Sequence, residues 1–135
     1  MIQSNPFKRL GCAIRLYMIA LLLSVIAGCR DGTAVQSVTV ANRTGSTLTD
    51  VRIEFDEAIW SREFGVLGKT SATEVPKTRL DLPQFATVHW TIDNKSKSRV
   101  VNLEESLKPR PKGIGELIFV INPGERVSTE WRAKK

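Results

Sequence analysis

Residues 48–55 read Leu-Thr-Asp-Val-Arg-Ile-Glu-Phe and show the most regular period of two in this 135-residue sequence. Side chains of a β-strand point alternately to its two faces, so this pattern is typical of a strand with one buried and one solvent-exposed face. The predicted inner face is that of Thr49, Val51, Ile53 and Phe55, and the predicted outer face is that of Leu48, Asp50, Arg52 and Glu54.

The stretch before this strand has the same period. Residues 35–41 place Val38 and Val40 opposite Ser37 and Thr39, which indicates a second half-buried strand. Between the two strands lies the polar sequence Asn-Arg-Thr-Gly-Ser at 42–46, whose glycine can adopt a positive φ. We therefore predict that the two strands form a hairpin.

The rest of the chain continues in short strands separated by turn residues. Further strands are predicted at 63–67, 73–75, 86–92, 99–103, 116–121 and 126–132. Seven to eight strands without a useful helical period indicate an all-β, two-sheet antiparallel sandwich. In the strand 116–121 both faces carry apolar side chains, Leu117, Phe119 and Ile121 on one and Ile118 and Val120 on the other, so that strand should be covered on both sides. The predicted core comprises Val51, Ile53, Phe55, Val88, Trp90, Phe119 and Trp131.

Residues 38–55, with the pattern Val-x-Val-x-Asn-x-Thr-Gly-x-x-Leu-x-x-Val-x-Ile-x-Phe, resemble the opening hairpin of immunoglobulin-like domains on bacterial surface proteins. The resemblance implies an immunoglobulin-like sandwich for residues 35–135. It implies no functional residue, because the Cys, Trp, Cys spacing and the tyrosine corner of antibody-type domains are missing; Tyr17 is the only tyrosine.

The first 28 residues have the organisation of a secretion signal. Lys8, Arg9 and Arg15 precede an apolar run at 16–27 that no acidic residue interrupts. That run is about a dozen residues long, whereas a membrane-spanning helix needs roughly 20. We therefore predict a cleaved signal helix rather than a permanent span.

The sequence Ile26-Ala27-Gly28-Cys29 resembles the lipobox of bacterial lipoproteins. This resemblance implies cleavage before Cys29, a diacylglyceryl group on its thiol, and usually an acyl chain such as palmitate on its new amine. Residues 29–34 would then be the lipidated cysteine and a short linker. Arg30 stands where an aspartate usually favours retention in the inner membrane, so the outer membrane, facing the periplasm, is the expected location.

After removal of residues 1–28 the chain has 17 Lys and Arg against 14 Asp and Glu, so its net charge falls from +6 to +3. Such a mildly basic domain needs no nucleic acid as a partner. The remaining 107 residues suffice for one domain. Cys12 leaves with the signal and Cys29 carries lipid, so no disulfide is expected.

Catalytic and metal-binding residues are scarce in the predicted mature chain. His89 is its only histidine and Cys29 its only cysteine, which excludes a zinc site built from this chain. No Gly-x-Ser-x-Gly motif surrounds a serine, and the neighbouring acid pairs Asp56-Glu57 and Glu104-Glu105 are poor acid and base couples. We expect no enzyme activity and no cofactor. His89 should lie on the outer face between two threonines.

Two features remain as candidate partner contacts. Trp60 lies in the least regular segment, and Lys108, Arg110 and Lys112 alternate with prolines that keep them extended. If successive strands reverse direction, the turns at 42–46, 68–71, 94–98 and 122–125 lie far from the anchor. The long segments 56–62, 77–84 and 104–113 and the tail 132–135 then lie near it, and their cations would form a basic collar beside the bilayer. These cations are Arg62, Lys77, Arg79, Lys108, Arg110, Lys112, Arg132, Lys134 and Lys135, against the acidic residues Asp56, Glu57, Asp81, Glu104 and Glu105 of the same segments.

The sequence leaves three functional classes open. We expect a non-enzymatic interaction or structural module that binds an envelope protein or polymer. A small-ligand or glycan-binding lipoprotein is the alternative and would need a concave site lined by aromatic rings. A hydrolase is disfavoured. The surroundings of Trp60 discriminate the first two classes, because a half-exposed ring beside a groove favours a ligand and a flat patch favours a protein.

Overall fold

The structure, a computed structural model, describes residues 32–56, 60–75 and 80–135, and within them the chain forms nine strands and one short helix. In chain order these are β1 (Ala34–Asn42), β2 (Leu48–Phe55), β3 (Trp60–Leu67), β4 (Ala72–Val75), β5 (Leu80–Asp81), β6 (Phe85–Ile92), β7 (Lys95–Asn102), α1 (Leu103–Ser106), β8 (Ile114–Asn122) and β9 (Arg126–Ala133). The predicted signal helix, Cys29, Lys77 and Arg79 lie outside the described residues.

The strands form two sheets that enclose one core. One sheet has the order β4-β1-β8-β9, with β5 also paired to β1, and the other has the order β3-β2-β6-β7. The prediction of an all-β sandwich is confirmed. The expectation that every pairing is antiparallel is wrong, because β1 and β8 run parallel from Ala34 beside Ile114 to Asn42 beside Ile121.

The predicted hairpin of residues 35–41 and 48–55 is also wrong. β1 pairs with β4, β5 and β8, whereas β2 pairs with β3 and β6 in the other sheet. The connection at residues 43–47 therefore carries the chain from one sheet to the other. Both strands still turn their apolar faces to the core, but they do so from opposite sides of it.

The core matches the predicted apolar positions closely. Six of the seven predicted core side chains are buried, and the seventh, Trp131, is partly buried and packs against the core. Every residue from Glu116 to Ile121 is at most 7% exposed, which confirms that β8 is covered on both faces. The buried hydrophobic side chains form one core cluster, whose members extend along the chain from Val35 to Ile121.

One face assignment in β2 is wrong because the strand is bulged. Leu48, predicted to face outward, is fully buried together with Val51. The pairing of β2 with both neighbours shifts register after Thr49 or Leu48, and Asp50 adopts a φ of 51°. A bulge inserts one extra residue, so the alternation changes phase and both apolar side chains point inward.

The four predicted turns meet at one end of the sandwich, as expected from the alternation of strand directions. The backbone N–H of Asn42 donates to Ser71 O at 2.8 Å, and that of Arg43 donates to Ile121 O at 2.8 Å. Thr44, Asp93 and Pro123 line one groove there. We call this the far end, and the opposite end, where β1 begins, the near end.

Candidate functional site

The basic loop, residues 108–113, connects α1 to β8 at the near end. It begins after two buried leucines, Leu103 and Leu107, and α1 is capped by Asn102, whose side-chain oxygen accepts from the Glu105 backbone N–H at 3.1 Å. At the other side, Gly113 O accepts from Ala34 N at 2.9 Å. Thr33 also donates its hydroxyl to the carbonyl oxygen of Pro111. The loop is thus fastened to the first residues of β1.

The three predicted contact residues of this loop, Lys108, Arg110 and Lys112, are exposed. None of them forms an ion pair with another described residue. Two other near-end cations are neutralised: Arg132 lies 3.2 Å from Glu116, and Lys134 lies 3.5 Å from Glu74. Of the near-end cations that the structure describes, Arg62 and Lys135 are also exposed and outside these ion pairs, so three of the five unpaired cations lie in the basic loop.

Two acidic residues, Glu104 and Glu105, precede the basic loop along the chain. Glu104 and Glu105 occupy the first turn of α1, and Glu104 Oε2 accepts from Gln84 Nε2 at 3.5 Å. No acidic residue occurs between Glu105 and Glu116 in the sequence. Positive and negative charge are thus segregated along this connection.

Ile114, the first residue of β8, extends the basic loop with an exposed apolar side chain. It is 48% exposed, whereas the β8 residues 116–121 are buried. Its position is fixed because its carbonyl accepts from Lys134 N at 3.0 Å and its backbone pairs with Ala34. A fixed, exposed isoleucine beside three cations makes an amphipathic surface.

Trp60 begins β3 instead of lying in an irregular loop. Its ring stacks on Phe55 with centroids 4.7 Å apart, and the Arg62 guanidinium lies 5.8 Å from its centroid. The side chain is partly buried and packs against the core. Trp60 therefore has a packing role, and the groove described below lies at the opposite end of the molecule.

His89 lies on the outer face of its sheet, as predicted. Its Nε2 lies 3.1 Å from Glu54 Oε2, and Arg52 Nε lies 3.1 Å from Glu54 Oε1. The histidine side chain is 29% exposed. These three side chains form a polar cluster on a strand face.

The far-end groove is a feature that the sequence did not reveal. It has a volume of about 370 Å³ and lies between the β6–β7 and β8–β9 turns, with Thr44 at its side. Trp90, only 2% exposed, and Ile92 lie at its apolar side. The sequence feature that could have indicated this groove is the alternation of Lys95, Lys97 and Arg99, which lies opposite the Asn-Pro-Gly-Glu turn in the structure.

An ion-pair cluster borders the groove. Glu125 lies 2.6 Å from Lys97 Nζ, and Arg99 Nε donates to the Glu125 backbone oxygen at 2.9 Å. The hydrogen bond from Lys97 holds the pKa of the Glu125 carboxyl below its ordinary value of 4.5, and the charge of Arg99 acts in the same direction. The carboxylate is therefore already occupied by cations of its own chain.

Among residues 32–56, 60–75 and 80–135, no cluster of three or more histidine, cysteine or acidic side chains is arranged to hold a metal ion. The helix within these ranges is too short to cross a membrane.

Comparisons with known proteins identify no family. No family model matches the chain, and no curated protein matches it. A protein from Eubacterium rectale solved by NMR is similar over 80% of this chain and 95% of its own, with 8% identity and a TM-score of 0.46. A likeness of that degree supports no conclusion about function.

Proposed function

We propose that this protein is a lipid-anchored, non-enzymatic interaction module of the bacterial cell envelope. The lipobox-like sequence ending at Cys29 supports the anchor. The observation that supports the module most directly is the start of β1 at Ala34, only five residues after Cys29. At about 3.3 Å per residue, this linker keeps the domain within roughly 20 Å of the membrane.

The far end is the surface we propose for an envelope protein or polymer. It lies at the end of the sandwich opposite the start of β1, and it gathers four turns and a groove. Loops on a rigid scaffold commonly carry binding surfaces. We further propose that the sandwich is immunoglobulin-like, a class whose members often bind partners through such loops, and that the membrane is the outer one because Arg30 replaces the aspartate typical of inner-membrane retention.

A small-ligand or glycan-binding lipoprotein is the second candidate, favoured by the groove of about 370 Å³. Glycan sites usually offer an open aromatic ring, whereas Trp90 is only 2% exposed. Trp60 stacks on Phe55 far from this groove. These contacts favour a protein or polymer as the partner.

The anchor is tested by Cys29→Ala in the full chain, with Cys12→Ala as the matched control. We expect the wild type and the Cys12→Ala variant to give a mature chain from residue 29 whose intact mass includes acyl groups, and to fractionate with membranes. Cys29→Ala should keep its signal and lack lipid, so its intact mass should be that of the unprocessed chain. A Cys29→Ala chain that is still cleaved after residue 28 and still carries acyl groups would refute the proposal.

The partner surface is tested by photo-crosslinking in cells from single positions. A crosslinking residue at exposed Asn94 probes the far end, and one at exposed Ser61 probes the outer side of β3 as a control. We expect a specific adduct from Asn94 that mass spectrometry identifies as an envelope component. An adduct from Ser61 alone would place the partner elsewhere.

A further inference from the structure

We propose that the basic loop and Ile114 form a membrane-docking surface that binds anionic phospholipid headgroups of the bilayer holding the anchor. Its orientation relies on the proposed lipid at Cys29. Docking would hold the sandwich upright, so that the far end points away from the membrane.

The position of the loop relative to the start of the domain is the first support. Gly113 O accepts from Ala34 N, and the Pro111 carbonyl accepts from the Thr33 hydroxyl. A chain that arrives from an anchor at Cys29 therefore reaches the domain beside this loop. The linker has only residues 30–33, so the loop cannot be far from the headgroups.

The charge pattern is the second support. Lys108, Arg110 and Lys112 are exposed and are in no ion pair with a described residue, whereas Arg132 and Lys134 are each held by a glutamate. Cations near a bilayer are attracted by anionic lipids, and the attraction falls off within a Debye length of about 8 Å at physiological salt. This attraction therefore acts only on cations that are held close to the membrane surface.

Ile114 is the third support. An apolar side chain next to cations suits the boundary between headgroups and acyl chains, where the aliphatic part can insert while the charges stay in the polar layer. Docking would cover this side chain, which is 48% exposed on a strand whose residues 116–121 are at most 7% exposed. A protein partner or a second copy of this chain would have to reach a surface that the short linker keeps against the bilayer.

The test uses the lipidated mature protein reconstituted in vesicles, because acylation of Cys29 and loss of Cys12 leave it without a thiol. An environment-sensitive dye is attached to Ile114→Cys, and in a second protein to Lys69→Cys in the far-end β3–β4 turn. With vesicles containing phosphatidylglycerol we expect a blue-shifted, quencher-protected dye at position 114 and a water-exposed dye at position 69. Phosphatidylcholine vesicles or high salt should abolish the shift.

Charge is tested in the Ile114→Cys background with matched variants. Neutralising Lys108→Gln, Arg110→Gln and Lys112→Gln together should lower the docked-to-undocked ratio by about fivefold per cation, up to roughly 100-fold. Neutralising the exposed far-end Arg43, Lys69 and Arg126 to glutamine removes the same charge and should leave the ratio unchanged. Thermal unfolding of each variant verifies that it is folded.

The outcomes separate this inference from the proposed anchor. An acylated Cys29 with a water-exposed dye at position 114 on anionic vesicles overturns docking and leaves the anchor intact. An equal loss in both triple variants also overturns it, because net charge alone would then act. A shift on phosphatidylcholine that depends on protein density overturns it in favour of contact between two copies.

Discussion

The two ends of the sandwich differ in how their connections are held. At the far end short turns are bonded to one another. The side chain of Asn42 donates both to Ser46 O in the β1–β2 connection and to Gly68 O in the β3–β4 connection. At the near end longer connections carry prolines and exposed cations, and the basic loop is bonded to the start of β1 through the carbonyl oxygens of Pro111 and Gly113. The far end thus combines bonded turns with the groove between them, and the near end presents exposed cations.

Asn42→Ala should have the largest effect on the free energy of unfolding, because it removes the side chain that bonds two far-end connections to each other. Asn42 is 1% exposed; its Nδ2 donates to Ser46 O, Leu67 O and Gly68 O at 2.7–3.2 Å, and its Oδ1 accepts from Thr44. Leaving these buried groups without partners should lower the free energy of unfolding by about 3 to 4 kcal/mol.

Urea unfolding measures this change, with Gln36→Ala on the exposed side of β1 as the control. The control should change the free energy of unfolding by less than about 0.5 kcal/mol. If both variants lie within that range, the hydrogen bonds of Asn42 do not stabilise the fold.

Gly115→Ala should have the next largest effect on the free energy of unfolding, because β8 and β9 are closely packed at this position of the near end. A Cβ at this position would lie 2.4 Å from Trp131 Cζ2 and 2.8 Å from Arg132 O. Since the backbone of β9 must shift, we expect a loss of about 2 to 3 kcal/mol, read from thermal unfolding. Gly124→Ala, with φ +74° and no atom within 4 Å, should lose only about 1 kcal/mol from backbone strain. Equal losses would contradict the predicted clash.

Trp60→Ala should cost about 1 to 2 kcal/mol, because a half-buried ring loses its stack on Phe55. Trp60→Phe keeps an aromatic ring on Phe55 and should recover most of this free energy. Calorimetry gives the two stabilities, and crosslinking yield in cells gives partner contact. A fully stable Trp60→Ala variant that loses its crosslinked partner would identify Trp60 as a contact residue.

Glu125→Gln should have the smallest effect, confined to a pH range. The folded-state pKa of Glu125 is lowered, so its contribution is complete above its unfolded value near 4.5 and disappears as pH falls through the folded value. The Tm difference between wild type and variant should therefore be present at pH 7 and vanish at low pH. It should also shrink in high salt, since the side chain is 42% exposed. A difference that grows on acidification would contradict the assignment.

The strands and most of the core could be predicted because burial on one face imposes a period of two, as in Val51, Ile53 and Phe55. The arrangement of both ends also followed from alternating strand direction. The partners of β1 could not be predicted. Ala34 pairs with Ile114 some 80 residues later, and a strand that faces the core from either sheet has the same local pattern. Likewise, the two-residue period of residues 48–55 does not indicate the bulge that buries Leu48.

The candidate site was predicted in part. Lys108, Arg110 and Lys112 are visible in the sequence because prolines and charge mark an exposed segment, and their position beside β1 followed from strand direction. The groove was missed because it forms between turns of different sheets, and the pairing of Glu125 with Lys97 joins residues from separate hairpins. The start of β3 at Trp60 was missed because the stack on Phe55 spans a connection without a clear period.

The central place of β1 in its sheet has a mechanical consequence. A pull on the chain ahead of Gly32 acts on a strand bonded to β8 on one side and to β4 and β5 on the other. Tension along that strand loads many hydrogen bonds in shear at once, whereas an edge strand could be peeled off bond by bond. A lipid tether ahead of β1 would therefore apply force to a strand that is hydrogen-bonded on both sides and resists unfolding.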